Sequence, residues 1–138
     1  MRVVIRGAGD LASGVALRLW RAGMDVVLLD VEKPTAIRRT VAFSEAIVHG
    51  KQTVEDVTAR LATAETAEET LAAGMIPVLV DSEGRSIPTL RPDALVDAIL
   101  AKRNLGTKIT DAPVVIGVGP GFTAGVDCHA VVETMRGH

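Results

Sequence analysis

Val3-Val4-Ile5-Arg6-Gly7-Ala8-Gly9-Asp10-Leu11-Ala12-Ser13-Gly14, with the helical stretch that runs on to Gly23 and the apolar run Met24 to Leu29 that ends in Asp30, decides the fold. An apolar strand, a glycine turn, a helix and a second apolar strand, in that order, make a βαβ unit of the dinucleotide-binding kind. Gly7 permits a sharp turn off the strand, and Gly9 removes the Cβ that would hold a pyrophosphate away from the backbone. Ala12 stands where a third glycine often does and keeps the first helical turn close to the sheet. Leu11, Val15 and Leu19, with Ala12 and Ala16 beside them, predict the buried stripe of the helix, and Gly23 ends it.

The helix offers free N–H groups and a positive dipole end to an anion, which places Gly7, Ala8, Gly9, Asp10 and Ser13 at a nucleotide. Asp30, 23 residues after Gly7, can accept hydrogen bonds from a ribose diol. The same carboxylate repels a 2′-phosphate and so favours an NAD-like ligand, although Arg38 and Arg39 would offset that repulsion if their loop came near. Asp10 has two readings. It caps the helix through its side-chain oxygen, or it holds a cation or polarises a ligand group. A glycine turn of this kind also has a plain structural use, the close packing of helix on strand.

The 138 residues predict a single domain, 1–138, with 48% apolar and 23% charged residues and a net charge of −2. Scattered lysines and arginines, and no aromatics beyond Trp20, Phe43 and Phe122, argue against nucleic acid and against an acidic membrane surface. The amino terminus has too short an apolar run for a signal peptide or a span, so a cytoplasmic location is expected. One cysteine, Cys128, excludes an intramolecular disulfide and a zinc site built on several thiolates. With no tyrosine, a reductase mechanism that uses one as proton donor is excluded.

Further along, Thr35 is the expected cap of a helix over Ala36 to Ile47, and Lys51 to Leu61 fits a helix or a strand equally. Thr66 to Ala73 reads as a helix and Met75 to Val80 as a strand. Pro92 and Asp93 predict the opening of a helix that ends near Asn104, and Val114 to Val118 predicts the next strand. Strand and helix alternate, which predicts an α/β, Rossmann-like, mostly parallel sheet with helices on both faces.

A second glycine turn, Val118-Gly119-Pro120-Gly121-Phe122-Thr123-Ala124-Gly125, follows that strand. Its amides would cradle an anion beside the first turn, which adds Gly119, Gly121, Phe122 and Thr123 to the candidate site, or its glycines serve packing alone. A helix is expected over Cys128 to Met135. On it Asp127 would be the cap, His129 and Glu133 would share a face, and Cys128 would be an inert filler or a thiol activated at a helix N-terminus. Two such groups make a weak metal site, and no metal is expected.

Three stretches, Arg6 to Gly14, Arg38-Arg39-Thr40-Val41-Ala42-Phe43, and Gly119 to Asp127 continuing through Glu133-Thr134-Met135-Arg136-Gly137-His138, resemble the YqeB-like accessory proteins of selenium-dependent molybdenum hydroxylases. The resemblance covers nearly the whole chain. It implies a cytoplasmic maturation protein with a Rossmann-like core that works with a molybdenum hydroxylase or its maturation proteins and holds a nucleotide or the phosphate of the molybdenum cofactor. It also implies that family members continue beyond the position of His138. It assigns no catalytic residue, and it leaves a homodimer open. The alternatives are an NAD-sensing regulatory domain and an NAD-dependent oxidoreductase, for which His129, Asp127, Lys102 and Lys108 are the proton-transfer candidates.

Overall fold

The computed structural model describes residues 1–31 and 41–133. In chain order the elements are β1 (Arg2–Arg6), α1 (Asp10–Arg21), β2 (Asp25–Asp30), α2 (Glu45–His49), β3 (Lys51–Val54), β4 (Val57–Ala62), α3 (Ala67–Ala72), β5 (Ile76–Val80), α4 (Ile87–Leu90), β6 (Ala94–Asp97), β7 (Val114–Val118) and β8 (Ala130–Val132). The strands form one eight-stranded sheet in the order β3-β4-β5-β2-β1-β6-β7-β8. The β3–β4 hairpin is antiparallel and the other neighbours are parallel. This is the expected α/β class and mostly parallel sheet.

The central strands are apolar without alternation because both faces of the sheet are covered. Val3, Ile5, Val26 and Leu28 pack beneath α1 and α2, together with Ala12, Ala16, Phe43 and Ala46. Val4, Val27, Leu29, Leu79 and Leu95 pack on the other face beneath α3 and α4, with Ala67, Ile87 and Leu90. Helix α1 is turned slightly from its expected orientation. Ala12, Ser13, Ala16 and Leu17 are its buried residues, whereas Leu11 is exposed and Val15 and Leu19 lie at the margin of the core. Small side chains on the inner face let the helix approach the sheet closely.

Three expectations are corrected. The segment expected to be a helix from Pro92 to Asn104 is instead the central strand β6 followed by an irregular stretch. Asp93 starts the pairing: its N–H donates to the Arg2 carbonyl at 2.8 Å, and its Oδ2 accepts the Arg2 N–H at 2.7 Å. The four residues after it are buried between β1 and β7, so their apolar run carries no helical period. Cys128 to Met135 likewise contributes strand β8, parallel to β7, rather than a helix; residues 134 and 135 lie outside the described residues. In the expected helix over Ala36 to Ile47, residues 45–47 alone are α-helical among the described residues, as part of α2. Thr35, Arg38 and Arg39 lie outside the described residues. The open reading of Lys51 to Leu61 resolves as the β3–β4 hairpin, turned at Glu55 and Asp56, both at positive φ.

The chain lays β2, β5 and β4 on one side of β1, then returns to lay β6, β7 and β8 on the other. The order therefore reverses between β1 and β6, and the crevice beyond their carboxyl ends is where an open α/β sheet binds its ligand. No helix among the described residues is long and apolar enough to cross a membrane.

Candidate functional site

A cleft of about 270 Å³ lies at that reversal, lined by Gly7 to Ala12, Asp30, Val31 and Ala98 to Leu100. Its floor is the first glycine turn. Gly7 adopts φ +108°, donates its N–H to the Leu29 carbonyl at 2.6 Å, and sits so close to β6 that an added Cβ would lie 2.8 Å from the Ala98 carbonyl oxygen. Gly9 differs in every respect. Its φ is −70°, no heavy atom beyond its two chain neighbours lies within 4 Å of the place where a Cβ would stand, and it is the N-cap residue of α1. The fold does not need glycine at position 9, and the space it leaves opens beside the cleft.

Asp30 closes the cleft from β2. Its Oδ2 accepts the Ala8 N–H at 3.1 Å and its Oδ1 accepts the Val31 N–H at 2.8 Å. Each oxygen keeps a lone pair for a hydroxyl, as a vicinal diol requires. Burial pushes the Asp30 carboxyl above its ordinary value, and the two backbone bonds offset only part of that. Asp81, next to it at the end of β5, behaves in the opposite way. Burial raises it too, but bonds from the Ser86 hydroxyl, the Ser86 N–H at 2.8 Å and the Arg85 N–H at 2.9 Å outweigh that and hold it below the usual carboxylate range.

These opposite shifts predict opposite pH dependences. A carboxyl raised in the folded state adds stability below its unfolded value and loses it as pH rises through the folded value, whereas a lowered one adds stability above its unfolded value and loses it on acidification. Urea unfolding from about pH 3 to 7 should show Asp30→Asn gaining on the unmodified protein as pH rises, and Asp81→Asn losing. Parallel curves for the two variants would contradict this assignment of strain and support.

The remaining candidates are distributed as follows. Ala8 is fully buried, and its carbonyl accepts the Ser44 N–H at 2.8 Å and the Ser13 hydroxyl at 3.1 Å. Ser13 is also fully buried and accepts the Phe43 N–H at 2.8 Å, so it braces the turn from within the core. Asp10 is the first residue of α1, so the N-cap position expected of it falls to Gly9; its place is on the cleft wall, with its charge at the positive end of the helix.

The second glycine turn leaves the same sheet edge but does not line the cleft. A Cβ on Gly119 would lie 3.1 Å from the Leu100 side chain, one on Gly121 would lie 2.6 Å from the Arg103 Cα, and the Phe122 ring covers Gly117. Thr123 is exposed and donates its N–H to Asp127 Oδ1 at 2.7 Å. The loop thus packs behind the Ala98–Leu100 wall, with Leu100 touching both sides.

Asp127 closes that turn instead of capping a helix, and its bond from the Thr123 N–H lowers its pKa. His129 is fixed by Val115, whose N–H donates to Nδ1 at 2.9 Å and whose carbonyl accepts the His129 N–H at 2.7 Å. His129 and Glu133 share no helical face, because a strand intervenes. Cys128 is fully buried, and burial pushes its thiol up, so it is not an activated nucleophile. No group of three or more metal-ligating side chains occurs among the described residues.

Sequence reading missed the residues that build the second wall. Ala98 to Leu100 follow a strand that was expected to be helix, and Arg6 and Asp97, both buried, face each other in register across β1 and β6. An arginine at the last position of an apolar strand was the available signal for Arg6; nothing local marks Asp97. The cleft offers backbone N–H groups, a helix N-terminus and a carboxylate fit for a diol, and among the described residues no histidine, cysteine or lysine lines it.

No family model matches the chain, and no solved structure matches it. It is 61% identical over 137 residues, or 99% of its length, to a protein of Escherichia coli (strain K12) described as "Uncharacterized protein YqeB". The chain spans a quarter of the length of that curated relative.

Proposed function

We propose that this chain is a YqeB-like nucleotide-binding domain, and that in the cell it serves as an accessory unit in the maturation of a selenium-dependent molybdenum hydroxylase. The nucleotide half of the proposal rests on Gly9. A glycine that the fold does not require, at the mouth of a cleft floored by a helix N-terminus, is best explained by a ligand backbone passing close over it. Asp30 receives the ribose diol, Gly7 to Asp10 receive the phosphate side, and Ser13 holds their frame. Gly119, Gly121, Phe122 and Thr123 support the opposite wall. The hydroxylase half rests on the resemblance of the three long motifs and on the identity to the E. coli relative.

An NAD-dependent oxidoreductase is the weaker reading, because His129, Asp127, Lys102 and Lys108 all lie outside the cleft lining. Titration calorimetry with NAD, NADP, ATP and molybdopterin cytosine dinucleotide tests the first half. Gly9→Val should weaken binding at least about 100-fold, equivalent to about 2.7 kcal/mol. The poorer N-cap should lower stability by only about 1 kcal/mol. Undiminished binding by Gly9→Val would move the site elsewhere, and silence toward every ligand would end the nucleotide reading. For the second half, deletion of the gene should leave a molybdenum hydroxylase with reduced cofactor content.

A further inference from the structure

We infer that Arg6, Thr107 and Asp97 form a positioning device that sets the distance between the glycine turn and the Ala98–Leu100 wall. Ligand affinity then depends on a hydroxyl that lies outside the cleft. The inference rests on the cleft being the nucleotide site, but the geometry of the device stands on its own.

The three side chains are almost wholly buried, at 2%, 3% and 2% exposure. Arg6 Nη1 donates to Thr107 Oγ1 at 2.8 Å, and that hydroxyl donates to Asp97 Oδ2 at 2.6 Å. The hydroxyl is thus the one atom that joins a buried cation to a buried carboxylate, accepting from one and donating to the other. Arg6 Nη2 reaches further, to the Leu105 carbonyl at 3.0 Å and the Ser82 carbonyl at 2.9 Å. Thr107 is clamped from the other side by Asn104, whose Nδ2 donates to the Thr107 carbonyl and whose Oδ1 accepts its N–H, both at 2.8 Å.

The consequences converge on the cleft. Asp97 Oδ1 accepts the Ile99 N–H at 3.1 Å and turns the chain directly after β6, so that Leu100 takes φ +64°. Arg6 immediately precedes Gly7, and its carbonyl accepts the Ala98 N–H at 2.9 Å. Residues 98–113 contain neither helix nor strand. A stretch of that length is held by its anchors rather than by a ladder of its own. Arg6 and Asp97 supply those anchors at one end, through Thr107 at the other.

Thr107→Val removes the hydroxyl at nearly constant volume, and Thr107→Ser restores it. Amide hydrogen exchange of Thr107→Val should show protection lost at residues 98–107 and at Gly7 and Ala8, with β2 and β5 unchanged. NAD⁺ affinity by calorimetry should fall about tenfold, the worth of one buried charged hydrogen bond. Thr107→Ser should recover both. Asn104→Ala, which frees the Thr107 main chain and also removes the Asn104 bond to Asp127, should show the same regional pattern more weakly and serves if Thr107→Val does not fold. Protection unchanged, or lost evenly across the sheet, or a serine variant no better than valine, would overturn the device. Absence of NAD⁺ binding by the unmodified protein would count against the NAD-like ligand instead, and the exchange pattern would still decide whether the device exists.

Discussion

Gly7→Ala is expected to destabilise the protein by about 2–5 kcal/mol, a large part of the stability of an ordinary domain. Two costs add. The position sits at φ +108°, which an L side chain adopts only with strain. The new methyl would also stand 2.8 Å from the Ala98 carbonyl oxygen, and that oxygen belongs to backbone, so no rotamer change relieves the contact. Relief requires that β1 and the wall after β6 move apart, which also opens the cleft. Urea unfolding should show a lower midpoint at unchanged slope, since the native state is weakened while the surface exposed on unfolding stays the same. A Gly7→Ala protein as stable as the parent would mean that the turn relaxes freely, and the close packing assigned to it would be wrong.

The contrast between Gly7 and Gly9 also shows how far the sequence could be read. Both glycines stand in one motif, and the motif alone assigns turning to the first and close approach to the second. The structure gives the first of these a physical form: Gly7 is required by its conformation and by Ala98, whereas neither constraint applies to Gly9. The βαβ unit was legible because strand, turn and helix lie within thirty residues and announce themselves by local chemistry. Strand β6 was not. Pro92-Asp93 is a good helix opening in isolation, and Ala94 to Val96 are apolar at any period. What makes them a strand is burial between β1 and β7, a partnership distant in sequence. Strand β8 was misread for the same reason, since Asp127 and Cys128 look like a cap and a first turn until Asp127 is seen bonding back to Thr123. The second glycine turn was correctly placed at the same sheet edge. Whether its glycines faced a ligand or a neighbour depended on Leu100 and Arg103, whose own positions follow from the unforeseen β6.

Asp97→Ala is expected to cost about 3–5 kcal/mol because it leaves the Arg6 guanidinium 2% exposed with only neutral partners. Arg6→Met should cost a similar amount, since Asp97 then keeps only the Thr107 hydroxyl and the Ile99 N–H. The informative protein is the double variant. When both charges are gone, neither is stranded, and apolar side chains of fitting volume fill a buried site at little cost. The sum of the single costs should therefore exceed the cost of Arg6→Met with Asp97→Ala by about 2 kcal/mol or more, read from a double-mutant cycle by chemical denaturation. Additive costs would show that the two groups act separately, each on its own loop. A strong coupling means that the energy holding the 98–107 stretch is shared through Thr107, and that stability and cleft geometry are set by the same three side chains. The double variant should then fold acceptably and still bind poorly, because packing can replace two buried charged groups but cannot aim the Ile99 N–H at a carboxylate that is no longer there.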